Sequence, residues 1–155
     1  MDSTALDKND RAILRALQQD GRATITALAL ELNMSESACR RRIEKLERDK
    51  VITAYSCEID PQKLGLTINV FVSISLNAQT DKDLTSFERT IKSQPEILEC
   101  WLMTGQDDYL LRVVARDIED LERIHREVLT KLPNVSRINT AIAMRAVSRG
   151  KSVHI

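Results

Sequence analysis

Apolar side chains recur at helical spacing through the first third of the chain. Ile13, Leu14 and Leu17 share one face of a helix over residues 7–19, with Leu6 and Asp10 at the same spacing before them. Asp7 is the expected N-cap, placing negative charge at the helix start. Asp20-Gly21-Arg22 ends the helix, with Gly21 expected to take a positive φ. A second helix follows Thr24 and buries Ile25, Leu28, Ala29 and Leu32 until Asn33-Met34-Ser35 breaks it. A third starts at the N-cap Ser35, runs to about Arg48 and buries Cys39, Ile43 and Leu46. Ser35, Ser37, Arg40, Arg41, Glu44 and Lys45 are left mostly on its other face, and Arg42 lies at the boundary, either a structural ion-pair partner or part of the basic face. Residues 51–59 have β character, as a short wing or the first stretch of a linker, and Asp60 to Gly65 reads as turn and connector.

From Ile68 the period changes from helical to two. Ile68, Val70, Val72, Ile74 and Leu76 alternate with Asn69, Phe71, Ser73 and Ser75, the pattern of a strand. Thr80 or Asp81 caps a helix with Leu84, Phe87 and Ile91 on one face, and Pro95 closes the segment. Strands are expected at 97–104 and 109–116 around the turn Gly105-Gln106-Asp107-Asp108. Asp117 caps a helix with the stripe Ile118, Leu121, Ile124, Val128 and Leu132, and a last strand runs from Val135 to Val147. The order βαββαβ is the ferredoxin-like arrangement, which puts both helices on one sheet face. Phe71, Trp101 and Met103 then point to the other face; they are too large and apolar to leave in water, so that face is expected to meet a second subunit. Trp101 as an ordinary core residue is the plainer alternative.

The fold class is therefore α+β: an N-terminal helix-turn-helix (winged-helix-like) domain over 1–60, a linker over 61–67, a ferredoxin-like domain over 68–148 and a tail over 149–155 without assignable pattern. Two short helices joined by a tight turn, the second carrying basic and hydroxyl side chains, suit the major groove. Arginine bonds guanine edges or phosphates bidentately, and serine bonds either. Ser35, Ser37, Arg40, Arg41 and Lys45 are the DNA-contact candidates; Glu44 tempers their charge and can orient a neighbouring arginine.

Composition alters this picture little. Net charge is zero, yet residues 37–50 hold six basic side chains (Arg40, Arg41, Arg42, Lys45, Arg48, Lys50) against three acidic ones (Glu44, Glu47, Asp49), and it is distribution that matters for nucleic-acid binding. No apolar run is long enough to span a membrane, and Met1-Asp2-Ser3-Thr4 does not read as a secretory signal. Cys39, Cys57 and Cys100 are too scattered for a disulfide framework or metal knuckle, and are expected as buried thiols in a reducing cytosol. His125 and His154 have no nucleophile or metal partner nearby in sequence, so neither a catalytic residue nor a metal site is expected.

Several stretches together resemble one family, the Lrp/AsnC (feast/famine) transcriptional regulators, along essentially the whole chain. They are Leu6 to Leu14, Leu28-Ala29 through Met34-Ser35, Arg42 to Glu47, Val51-Ile52, and Met103 to Leu110. The resemblance implies a cytoplasmic, sequence-specific regulator that binds double-stranded DNA as a homodimer assembled into an octamer or larger ring. It implies no cofactor, but a small effector, an amino acid or related metabolite, bound between dimers. The implied effector residues are Leu102, Gly105 and Asp108 around the turn, Ile118, Glu127 and Thr130 from the last helix, and Thr140, Ala141, Ile142 and Ala143 from the last strand. Asp108 suits the ammonium of an amino acid, and backbone N–H groups near Gly105 suit its carboxylate. An effector-independent oligomeric DNA-binding or assembly protein is the alternative. Three positions depart from the family pattern: Lys50 where glycine is common, Ala38 where proline is common, and Ala141 where a larger side chain is usual.

Overall fold

The computed structural model describes residues 6–148; the tail over 149–155 and His154 lie outside them. Three helices open the chain: α1 (Lys8–Gln19), α2 (Ile25–Glu31) and α3 (Glu36–Arg48). Asp7 caps α1 in a reciprocal box: its carboxylate accepts from the Asp10 N–H at 2.8 Å and its own N–H donates to Asp10 Oδ2 at 3.2 Å. Asp10 is almost fully buried, and the Arg42 guanidinium of α3 donates to both carboxylates, at 2.6 Å to Asp7 and 2.7 Å to Asp10. Arg42 is thus a structural ion-pair partner. Ile13, Leu14, Leu28, Ala29, Cys39, Ile43 and Leu46 form the core of this unit, and Leu17, Ile25 and Leu32 pack half-buried against it.

The helix ends differ from expectation in informative ways. Gly21 does not take a positive φ; extended Asp20 ends α1, and its carboxylate accepts from the Arg22 N–H at 2.9 Å, a side-chain turn that needs no glycine. After α2 it is Asn33 that turns left-handed, at φ 53°, with Met34 N–H reaching Ala29 O and Asn33 N–H reaching Leu30 O. This is a Schellman closure, and it forms the tight turn of the helix-turn-helix. The same closure ends α3, with Val51 N–H on Leu46 O and Lys50 N–H on Glu47 O. Here Lys50 takes φ 56° in the place that favours glycine, at a cost of about 1 kcal/mol.

No strand forms between Val51 and Asp60, so the β-segment expected there as a wing is absent from the isolated chain. Strand backbone needs a partner for its N–H and C=O groups. These residues instead use side chains: Val51 and Ile52 pack on the helical core, and the Tyr55 hydroxyl donates to Glu47 at 2.9 Å. Burial and the Glu47 charge push the Tyr55 phenol up to about 12.

The helical unit ends at Glu58, and a second compact unit covers Ile59–Val147. It takes in the 3-10 helix Pro61–Leu64, β1 (Ile68–Leu76), α4 (Asp81–Lys92), β2 (Ile97–Leu102), β3 (Tyr109–Ala115), α5 (Ile118–Glu127), the 3-10 turn Leu129–Lys131 and β4 (Val135–Ala143). The sheet order is β2-β3-β1-β4, antiparallel throughout. Val70, Val72, Ile74, Leu111 and Val113 are fully buried under Phe87, Ile91, Leu121 and Ile124, with the Phe87 and Tyr109 rings 4.5 Å apart. β2 and β4 are shorter than expected, ending at Leu102 and Ala143. Ile118, expected in the buried stripe, is 62% exposed; as the first residue of α5 it precedes the stripe, which starts at Leu121. Leu129, fully buried in the 3-10 turn, does not show in the apolar pattern because the helical period breaks there.

Cys39 is buried, but Cys57 is exposed and Cys100 half-buried, so the expectation of three buried thiols holds for one. On the open sheet face, Phe71 is half-buried and Trp101 is 43% exposed; Met103, just past the end of β2, is exposed to the same extent. Trp101 is not a core residue.

Removing Arg42 would leave Asp10 buried without its cation. Breaking a fully buried pair costs about 3–5 kcal/mol; since the Arg42 side chain is 27% exposed, Arg42→Ala should lower the stability of the helical unit by about 2 kcal/mol. Thermal unfolding measures this against Arg41→Ala, expected within about 0.5 kcal/mol of the parent; equal effects would contradict a clamp.

Candidate DNA-reading helix and effector site

The Ser35 hydroxyl accepts from the Ala38 N–H at 3.2 Å and lies 3.2 Å from the Ser37 hydroxyl. It caps α3 with no proline in the first turn. With Cys39, Ile43 and Leu46 buried, Ser35, Ser37, Arg40, Arg41 and Lys45 are all exposed. The five DNA-contact candidates therefore lie on the solvent side of one helix, while Arg42, between them in sequence, is turned inward to Asp7 and Asp10. The backbone N–H of Asp10 and then the Arg42 guanidinium hold the Asp7 carboxyl below its ordinary range.

The effector candidates do not form one cluster. Register puts Leu102, Tyr109, Leu76 and Val135 at one end of the sheet, with the turn to Asp108, and Ile68, Ala115 and Ala143 at the other. Only two residues separate the end of β3 from the start of α5, so Ile118 sits at the second end. Glu127 and Thr130, at the far end of α5, return to the first; ten helical residues span roughly 15 Å. Ile142 and Thr140 pair with Val70 and Val72, the helix-facing positions of β1, whereas Ala141 and Ala143 pair with Phe71 and Asn69 on the open face. Eight of the ten thus divide by sheet end, Thr140 and Ala141 pair with the middle of β1, and those on β4 divide by sheet face.

Around the turn the two carboxylates go separate ways. Asp107 accepts from the Ser75 hydroxyl at 3.0 Å and from Arg137 at 2.9 Å, and these two partners hold its carboxyl below the ordinary range. Asp108 accepts from the Leu76 N–H at 2.7 Å and from the Gln79 amide at 2.6 Å. Two of its roughly four lone-pair sites are then in use. Gly105 has φ 125°, and nothing lies within 4 Å of where a Cβ would be; backbone shape requires glycine here, not crowding. Glu127 pairs with Arg126, and Thr130 donates to the Arg126 carbonyl.

Beside Leu102 lies a groove of about 450 Å³ between α4 and β2, which the sequence pattern did not reveal. Its floor is Tyr109, whose hydroxyl donates to Glu88 at 3.0 Å. Burial first and the Glu88 charge second push the Cys100 thiol up to about 11. The available signal was Glu88 flanking the Phe87–Ile91 stripe, opposite a buried tyrosine.

A winged helix-turn-helix DNA-binding model matches residues 6–53, and the Lrp/AsnC ligand binding domain model matches residues 69–153. The chain belongs to the Lrp/AsnC family. Among relatives of this family member, the Bkd operon transcriptional regulator of Pseudomonas aeruginosa is 38% identical over 92% of this chain and 93% of its own. An uncharacterized helix-turn-helix regulator of Sinorhizobium fredii is 43% identical over 79% of this chain and 96% of its own. Among solved structures, a Neisseria meningitidis transcriptional regulator in complex with L-Met superposes with TM-score 0.90 at 26% identity, covering 97% of each chain. An AsnC family regulator of Agrobacterium tumefaciens gives 0.89 at 33% identity, covering 96% of each. The protein is accordingly a ligand-responsive, DNA-binding transcriptional regulator, and the relatives named above are themselves transcriptional regulators. No described helix is long and apolar enough to cross a membrane.

Replacing Arg40 and Arg41 together by alanine should weaken binding to DNA and flatten the plot of log affinity against log salt by about 1–2. Unchanged affinity and slope would remove both arginines from the interface.

Proposed function

We propose that this Lrp/AsnC regulator answers to an amino acid held in a pocket that two copies complete. The observation that carries this reading is the division of the effector residues: the turn group (Leu102, Gly105, Asp108, Glu127, Thr130) and the strand group (Ile118, Ile142, Ala143) lie at opposite ends of one domain. A single chain cannot close them around one small molecule, whereas the turn end of one copy against the strand end of another can. The open sheet face, with Phe71, Trp101, Leu110 and Met103, supplies the apolar surface for a homodimer, and end-to-end contact of dimers builds the octamer, in a cytoplasmic protein. The L-Met of the Neisseria regulator supports an amino acid as the ligand class. Asp108 takes the ammonium on its remaining lone pairs, and Ser35, Ser37, Arg40, Arg41 and Lys45 carry the DNA contacts.

One observation favours the second reading, an effector-independent oligomeric DNA-binding or assembly protein: the Asp108 carboxylate already accepts two hydrogen bonds within its own chain. A purely structural Asp108 would leave no anion for the ammonium.

Thermal unfolding against each of the twenty amino acids separates the two. A ligand at about 100 times its Kd stabilises the folded state by about 2.7 kcal/mol, a shift of several degrees. Asp108→Asn keeps a carbonyl for the Leu76 N–H, and Gln79 can reverse its amide to match; the variant should fold normally but lose most of the shift. An unchanged shift in Asp108→Asn would exclude the ammonium role, and no shift with any amino acid in the parent would favour the second reading.

A further inference from the structure

The face of α3 turned away from the core is not uniformly basic. Ser37, Arg41, Glu44 and Arg48, spaced by four, three and four, form the ridge opposite Cys39, Ile43 and Leu46, while Arg40 and Lys45 flank it on either side. Glu44 is exposed in the middle of that ridge. Arg40, Arg41 and Arg48 all lie three or four residues away, the spacing at which helical ion pairs form. Among the described residues the Glu44 side chain nevertheless makes no ion pair or hydrogen bond; Arg48 turns instead to Asp49 and Arg42 to Asp7 and Asp10. The carboxylate is left free where a groove-bound helix would meet DNA, and facing phosphate there would be repulsive.

Base edges offer a carboxylate one good partner. It has acceptors only. Guanine presents two acceptors to the major groove, thymine an acceptor and a methyl group, and adenine a donor beside its N7 acceptor; cytosine presents the N4 amino donor alone. Taking α3 as the recognition helix, as proposed above, we propose that Glu44 determines sequence specificity by accepting a hydrogen bond from the N4 amino group of one cytosine in each site that the helix reads. Arg41, one turn earlier on the ridge, is placed for a guanine edge at the same or the adjoining pair, and the flanking Arg40 and Lys45 are placed for phosphates. Glu44 also repels DNA in any wrong register, so specificity is gained at the expense of non-specific affinity.

The test is selection of binding sites from a randomised duplex library by the full-length protein, comparing the parent with Glu44→Gln, Glu44→Ala and Arg41→Ala. Both substituted side chains are exposed, and thermal unfolding confirms that each variant is folded. The expected result is one position at which the parent prefers cytosine. Glu44→Ala lowers that preference about tenfold, and Glu44→Gln moves it toward adenine, whose N6 and N7 a glutamine amide matches. If both Glu44 variants keep the parent's preference at every position while Arg41→Ala changes it, α3 reads the DNA but Glu44 does not, and the proposal is overturned. If Arg41→Ala and both Glu44 variants leave every preference unchanged, α3 is not the reading helix, and both inferences fall.

Discussion

A single guanidinium organises the DNA-binding unit. Arg42 reaches from the middle of α3 to the first turn of α1, where it meets Asp7 and the buried Asp10. Those two residues also close the capping box that begins α1, so one cluster both starts the first helix and seats the third. The apolar stripe of α3 is narrow, just Cys39, Ile43 and Leu46, and such a stripe alone leaves the helix some freedom to roll. The two-carboxylate clamp removes that freedom: with Arg42 turned in, Arg41 and Glu44 are turned out. The orientation of the exposed face of α3 therefore rests both on its apolar stripe and on where one arginine finds its counter-charges. Asp7 links this to acidity. Its folded-state carboxyl titrates below its ordinary value, so the unfolded chain binds that proton more readily; this contribution to stability is complete above about pH 4 and is lost as pH falls through the folded-state value.

In the second unit the governing constraint is the alternation of side chains along strands. It commits one face of the sheet to α4 and α5 and leaves the other with Phe71, Trp101 and Leu110 beside an ion pair between Arg112 and Glu99. The same alternation parts Thr140 and Ile142 from Ala141 and Ala143. The residues that the family resemblance implies for the effector are thereby spread over the two ends of the sheet and, on β4, over its two faces.

Much of this was legible in the sequence, for physical reasons that vary by element. The change of period at Ile68 announced the sheet, and the caps Asp7, Thr24, Ser35, Thr80 and Asp117 are where hydroxyl and carboxylate side chains before apolar stripes put them. Gly21 misled because an aspartate beside it closes the turn instead. Lys50 occupies a left-handed position usual for glycine, showing that a Schellman closure can impose its backbone on an unfavourable residue. Residues 51–59 have strand composition without strand structure, since β propensity reports fit to a partner that this chain alone does not supply. The partners of Asp108, Leu76 and Gln79, lie about thirty residues away, and no local pattern announces a bond of that range.

Occupancy of the sensor domain should change what the helix-turn-helix does on DNA. The direct measurement is the affinity of the full-length protein for a selected DNA site, at fixed salt, with and without the amino acid that stabilises it. The expected change is about 5–150-fold, the range of ordinary allosteric coupling, with DNA altering the amino-acid affinity by the same factor. Equal DNA affinity at saturating and zero amino acid would contradict it.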